Sequence, residues 1–308
     1  MNLNHFKATA IKNLQVSTAI ALTLVSALVL AKGVNAQDTT SFKTFADWCN
    51  NRNALTPAAK RTVSVLLDLV GTSDCTQANN RLANRTEIIL NSQKISDIGP
   101  VSTLTKATIL NLSDNQITDL GPLANLTNLN VLKLIGNQIT NITPLQSLNN
   151  LALLNLNNNQ VADLTPLSNL SSLRYLYLFD NQISNLRPIS SLTELKYLSL
   201  GSNAIADLTA ISPLRNLTVL DVKNNQIAEL TPLQFMPELK VVYLDNNKVT
   251  DIKPIAALPE LTTIWLDNNP IADISPLTGL DKLTFVNLKG TKVTAQTCPF
   301  NSESICNF

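Results

Sequence analysis

Two aspartates, Asp245 and Asp267, stand 22 residues apart, and each follows an aromatic residue by two positions, Tyr243 and Trp265. Paired carboxylates beside aromatic rings can share a proton as acid and base, hold a cation, or bond the hydroxyls of a sugar laid on the rings. The first use, as in glycosidases, needs an enclosed cleft. Here lysines flank the pair, in the order Lys223, Asp245, Asp267, Lys289 at equal spacing. Two carboxylates are also too few ligands for calcium. The row therefore reads as a charge ladder in which each Asp is partly compensated by an adjacent Lys, with a calcium site or a polar clamp beside Tyr243 and Trp265 as the sharper alternative. Other catalytic groups are missing. The sole histidine, His5, lies in a segment read below as removed, which leaves no imidazole base. The eight glycines form no phosphate-cradling cluster. The expectation is a protein that is not an enzyme and that carries no cofactor or metal.

The 22-residue spacing extends far beyond these two residues. Asn115, Asn137, Asn159, Asn181, Asn203, Asn225, Asn247 and Asn269 fall in one register, with Gln93 before them and Thr291 after. Five and three residues before each marker the residues are apolar, as in Leu110/Leu112 and Leu176/Leu178; two after it stands Ile or Val, and seven after it usually Pro. Ala210 is the exception. Alternating Leu marks a strand with one buried face. One such unit cannot bury that face alone, so the units must stack. The Asn sits where the chain leaves the strand, and its amide can both donate to and accept from backbone that would otherwise be buried unpaired. Gln93 and Thr291 suit end turns, where only one neighbour needs serving. Pro suits a return segment that makes no sheet hydrogen bonds.

The pattern LxxLxLxxN with an IxxLxPL tail, running from about Ile88 to Val293, resembles the leucine-rich repeat family. Its length and Pro-Leu return segment are similar to the subclass of bacterial internalins and of a phosphatase-regulatory subunit. The resemblance implies an α/β solenoid: a right-handed curved superhelix with a concave parallel sheet, short 3-10 turns on the convex side and caps at both ends. No immunoglobulin-like module or wall-sorting segment, both common in internalins, is recognisable after the repeats.

The alternation of side chains along a strand then fixes which residues face the hollow. Positions six, four and two before each marker point there. Between residues 87 and 291, seven of the eight aromatics fall in these columns: Tyr175, Tyr177, Phe179, Tyr197, Tyr243, Trp265 and Phe285. Only Phe235 lies elsewhere. Aromatics favour strands in any case, yet other turns fill the same columns with Asn, Ser and Lys. The seven form two groups, Tyr175, Tyr177, Phe179 and Tyr197 in one and Tyr243, Trp265 and Phe285 in the other. A small polar saddle of Ser199, Gly201, Asp221 and Lys223 separates them. Exposed aromatic patches mark contact sites.

The N-terminal segment carries Lys7 and Lys12, an apolar run from Ala19 to Ala31, and small residues Val34 and Ala36. This reads as a secretory signal peptide cleaved between Ala36 and Gln37, and the run is short for a membrane span. Three of the 23 basic and none of the 22 acidic residues precede Gln37, so the mature chain has a net charge of −2 and no polybasic surface for nucleic acid or lipid. Four cysteines in an exported chain suggest two local disulfides, Cys49–Cys75 and Cys298–Cys306. Ser41 is expected to cap a helix from Phe42 to about Asn50. Thr56-Pro57 starts a second helix that stops at Gly71, and Asp74 caps a third to about Ala83. The expected organisation is a signal peptide over 1–36, a helical cap over 37–86, about ten repeats over 87–293, and a disulfide-clamped cap over 294–308.

These readings predict a secreted, periplasmic or cell-envelope protein without a transmembrane anchor after cleavage. It would bind a protein partner through the concave aromatic surface, with Asp245 and Asp267 at its edge. Glycan binding by the same surface, or a purely structural envelope role, are the alternatives.

Overall fold

The computed structural model describes residues 42–294, 298 and 305–308. The expected signal peptide, its cleavage point and the Ser41 cap lie outside these residues. Three helices come first: α1 (Phe45–Asn50), α2 (Pro57–Val70) and α3 (Cys75–Ala83). The first starts at Phe45 rather than Phe42, because Thr44 and Asp47 form a reciprocal capping box. The Thr44 hydroxyl accepts from the Asp47 N–H at 3.2 Å, and the Asp47 carboxylate accepts from the Thr44 N–H at 2.8 Å. Phe42 instead packs edge-on against Trp48, with ring centroids 5.1 Å apart. The other two helices begin and end where expected, capped by Thr56 and Asp74, with Gly71 in the left-handed region at the end of α2. The Cys49–Cys75 disulfide ties α1 to α3.

Ten three-residue strands follow at the 22-residue interval: β1 (Glu87–Ile89), β2 (Ile109–Asn111), β3 (Val131–Lys133), β4 (Leu153–Asn155), β5 (Tyr175–Tyr177), β6 (Tyr197–Ser199), β7 (Val219–Asp221), β8 (Val241–Tyr243), β9 (Thr263–Trp265) and β10 (Phe285–Asn287). Each pairs in parallel with the next, in register at equivalent repeat positions. The tail adds an element the sequence had not shown. Cys306–Asn307 forms β11, parallel to β10, and the Cys298–Cys306 disulfide holds it there. One open sheet of eleven strands results.

On the return side each turn passes through a short 3-10 segment, with Pro at its start wherever the sequence supplies one. Thr209–Ile211 makes the same segment without Pro. Except in the turn with Glu229, these segments start with a side-chain cap. An Asp or Asn four residues after the marker accepts from the backbone N–H two residues on, as Asp163 does from Thr165 at 2.8 Å and Asp207 from Thr209 at 2.7 Å. These bonds hold the carboxyls of Asp163, Asp207 and Asp273 below their usual range.

The Leu, Ile and Val of successive turns merge into one core running the length of the array. The Asn markers form the ladder the spacing implied, and it points one way. In each, the amide nitrogen donates to two carbonyls of its own turn and one of the preceding turn, while the oxygen accepts from the preceding turn. For Asn269 the donations go to Leu244 O at 2.9 Å, Leu266 O at 3.0 Å and Asp267 O at 3.3 Å, and the acceptance is from Val249 N at 3.0 Å. Thr291 bonds only its own turn, through Leu288 O, and so does the Gln93 amide nitrogen, through Asn91 O.

Candidate functional site

The residue before most Asn markers takes a positive φ: Asp114, Asn158, Asp180, Ser202, Asn224, Asn246 and Asn268 lie between +54° and +57°. Gly136 and Gly290 take the same place in two further turns, at +62° and +68°. Asn, Asp and Gly tolerate this region best. The left-handed residue turns the chain off the sheet after a further pair of hydrogen bonds has formed past each strand, such as Leu112 N to Lys133 O and Asp114 N to Ile135 O. Sheet-like pairing thus extends beyond the three strand residues, which holds the side chains two before the marker on the open face with those four and six before it.

The seven aromatics occupy that face. Tyr175 is exposed, while Tyr177, Phe179, Tyr197, Tyr243, Trp265 and Phe285 are half-buried. Phe235 is exposed on the opposite side, in the 3-10 segment Thr231–Phe235. Neighbouring rings touch. Tyr177 and Tyr197 have centroids 4.7 Å apart, and Trp265 lies 6.2 Å from Tyr243 in a stacked arrangement and 4.9 Å from Phe285. Burial raises the hydroxyl pKa of Tyr177 and Tyr197, so both are neutral donors at physiological pH. Alongside the rings runs an aliphatic stripe six before the markers: Ile109, Val131, Leu153, Val219 and Val241, all half-buried.

The polar saddle does not separate the two groups; it joins them. Ser199, Gly201 and Asp221 are buried. A Cβ at Gly201 would lie 2.9 Å from the Phe179 ring and 3.0 Å from Lys223 Cγ, so only glycine lets these two side chains close over this point. Lys223 Nζ then sits 5.4 Å from the Phe179 centroid and 5.8 Å from that of Tyr243. One cation links the aromatic groups through their ring faces. Below it, Asp221 accepts from the Ser199 hydroxyl at 3.2 Å and from the Lys223 N–H at 3.3 Å. Burial still pushes the Asp221 carboxyl up against these bonds and the Lys223 charge.

The charge ladder expected from the row Lys223, Asp245, Asp267, Lys289 is not made. Among the described residues the ion pairs are Lys253–Asp251 and Lys282–Glu260, neither of which involves the row. Lys223 is drawn to the rings instead. Asp245 and Asp267 are held by neutral amides: Asn246 Nδ2 donates to Asp245 at 3.3 Å, and Asn287 Nδ2 donates to Asp267 at 2.8 Å. Asn307 of β11 in turn donates to Asn287 at 3.2 Å. Burial, and then the negative charge of Asp267, raise the Asp245 carboxyl. No group of three or more His, Cys, Asp or Glu among the described residues is arranged to hold a metal ion.

A parallel solenoid with an Asn ladder, 3-10 returns and an unobstructed sheet face defines the class: the chain belongs to the leucine-rich repeat family. A family profile described as "Leucine Rich repeats (2 copies)" matches residues 108–147, 171–216, 215–257 and 237–279. Within the family the chain resembles bacterial internalins. It is 33% identical to an internalin (inlF) of Listeria monocytogenes, with a TM-score of 0.74 over 79% of this chain and 72% of that one. An internalin C2 (inlC2) of the same organism is 35% identical, with a TM-score of 0.58 over 73% and 91%. A leucine-rich repeat protein of Leptospira interrogans is 28% identical, with a TM-score of 0.64 over 68% and 55%. No curated protein matches the sequence. The fold is that of a protein-binding scaffold. Two disulfides and internalin-like neighbours point to an extracellular setting, and no helix among the described residues is long and apolar enough to cross a membrane.

Proposed function

We propose that this is an exported binding protein that holds a protein partner on its concave sheet, with Tyr175, Tyr177, Phe179, Tyr197, Tyr243, Trp265 and Phe285 as the contact surface and Asp245 and Asp267 at its edge. Export proceeds by the signal peptide over 1–36, cleaved after Ala36. The carrying observation is the collection of rings on one face. Seven aromatics and five aliphatics stand half-buried or exposed on one face of the sheet, which no other element among the described residues covers. A preorganised apolar face loses little entropy on binding, and its aromatic residues supply most of the affinity. The internalin likeness supports the same reading. The aliphatic stripe favours protein over sugar, because Val and Leu side chains complement apolar side chains and offer no flat ring on which a sugar can stack. Glycan binding is the second reading, favoured by Tyr243 and Trp265 stacked beside Asp245, Asp267 and Asn287.

The test compares the mature protein with a Tyr177→Ala/Tyr243→Ala/Trp265→Ala variant of unchanged melting curve, both immobilised and exposed to envelope and culture extracts. A discrete protein retained by the first and not by the second is expected. Equal retention, or none by either, refutes the protein-partner reading of this face.

A further inference from the structure

The proposed binding face carries two carboxylates that make no ion pair among the described residues, and they specify part of its partner. Resting on the protein-binding reading, we infer that Asp245 and Asp267, with the Tyr243 and Trp265 rings beside them, seat an arginine side chain presented by the partner protein among apolar neighbours.

Four observations carry this. Both aspartates are half-buried on the open face, each two residues past one of two neighbouring strands whose backbones run about 4.8 Å apart. Their protein contacts are neutral amides, from Asn246, Asn268 and Asn287. Neither lysine of the row pairs with the acids among the described residues: Lys223, one repeat before Asp245, has its ammonium over Phe179 and Tyr243, and Lys289, one repeat after Asp267, makes no ion pair. Tyr243 and Trp265 stand next to the acids as a stacked pair, with 24° between their planes and centroids 6.2 Å apart.

A partly desolvated pair of anions favours a cation, and the aromatic rings beside it select which cation. A guanidinium is planar, stacks on aromatic faces and forks two N–H donors toward carboxylate oxygens. A lysine ammonium is a point charge that offers no plane to stack on the rings and no fork for two carboxylates. A sugar hydroxyl can accept or donate here, but it leaves the negative charge uncompensated. The apolar neighbours of the arginine would rest on Val219 and Val241, which flank Tyr243 on the same face.

The probe is a library of random twelve-residue peptides displayed on phage, selected on the mature protein. The strongest binder is then synthesised with arginine and with citrulline, its neutral near-isostere. Enriched sequences are expected to carry arginine beside apolar residues. The citrulline exchange should weaken binding to the wild type about tenfold and to an Asp245→Asn/Asp267→Asn variant less than about threefold. Asparagine already occupies this column at Asn91 and Asn157, so the variant should keep its melting temperature. Absence of enrichment, enrichment without arginine, or an equal citrulline effect on both proteins overturns the arginine seat. Displacement of the peptide by methyl glycosides also overturns it, in favour of sugar. A peptide lost on the triple alanine variant but unaffected by the double asparagine variant leaves the binding face standing and removes only the arginine seat. A peptide that ignores both variants removes the face as well.

Discussion

Replacing Asn269 by alanine removes four hydrogen bonds from the turn that carries Trp265 and Asp267. Asn269 is 2% exposed, so water cannot take over those bonds. The Val249 N–H has Asn269 Oδ1 as its partner and is left buried and unpaired, as is Leu266 O; Leu244 O keeps a bond from Asn247 at 3.0 Å. An orphaned buried donor costs about 1–3 kcal/mol, and a carbonyl with a spare lone pair costs less. The total is about 3–5 kcal/mol, which lowers the melting temperature by roughly 10 °C for a chain of this size. Asn159 makes the same set of bonds but is only partly buried. Asn159→Ala should therefore cost visibly less, because water reaches the freed groups. Urea unfolding followed by circular dichroism measures both costs, and amide exchange at Val249 reports the broken bond directly. The two tryptophans separate local from global loss: Trp48 lies in the N-terminal cap and Trp265 in the ninth repeat strand. If Asn269→Ala loosens mainly its own end, the two signals part. A cost under about 1 kcal/mol, or equal costs at the two positions, refutes the claim that the ladder stabilises by satisfying buried backbone.

Asp221→Asn should raise stability at neutral pH, by about 2 °C in Tm. Asn111 and Asn155 at the equivalent position accept the same bond from the N–H two residues on, at 3.0 Å, so the geometry is retained. Burial raises the folded-state pKa of Asp221, so ionisation penalises the fold. The gain should vanish below the unfolded value of about 3.8 and reach its full size above the raised folded value, which melting curves across that range will show. Lys223→Met should raise the carboxyl titration midpoints of Asp221 and Asp245 in NMR, since the lysine charge lowers both; unmoved midpoints contradict its placement. Gly201→Ala should part Phe179 from Lys223, weaken partner binding and leave Tm within a few degrees. Cys298→Ser/Cys306→Ser should cost about 2.5 kcal/mol in the chain-entropy model. It should also speed amide exchange at Leu288, whose N–H donates to Asn307 O at 2.7 Å.

The repeat, its strands and its buried face were legible because each is a period. Leu110 and Leu112 repeat at fixed offsets, and an offset shared by ten turns leaves one folding solution. The same logic placed the aromatics, since alternation sends Tyr177 and Trp265 outward once Leu176 and Leu266 are fixed inward. The features missed were of two kinds. Asp163 and Asp207 recur at four after the marker, as does the left-handed residue one before it. Both were periodic signals available in the sequence, masked because Asp, Asn and Ser interchange there. Lys223 was different. Its choice of the Phe179 and Tyr243 faces over the Asp245 carboxylate depends on the missing side chain at Gly201, two strands from Tyr243. No spacing rule encodes which of two partners within reach a flexible lysine takes. The eleventh strand was hidden because Cys306–Asn307 carries none of the repeat's markers, and pairing to β10 is visible only in space.

The division of labour within each turn explains why a binding face could form on this protein at all. The Asn amide and the capping Asp or Asn satisfy the backbone at the strand exit and at the 3-10 start, and the inward Leu positions supply the core. The residues six, four and two before the marker share these duties only here and there, as where Asn111, Asn155 and Asn157 each accept one backbone N–H. Those positions lie on a sheet whose geometry is already determined, so Asn155 and Tyr177, or Asn157 and Phe179, stand in adjacent strands with the same backbone register. Substitution there changes the chemistry of the face with little effect on stability. The exceptions mark where the face has acquired structure of its own. Gly201 admits close approach, Asp221 is buried at a cost, and Lys223 bridges two ring groups that would otherwise stand apart. A face selected only for solubility would have no use for a buried, destabilised carboxylate beneath a cation held between aromatic rings. Asp221 accepts from the Lys223 N–H, the Lys223 ammonium lies over Phe179 and Tyr243, and on the proposed reading these rings with Asp245 and Asp267 are what a partner would meet.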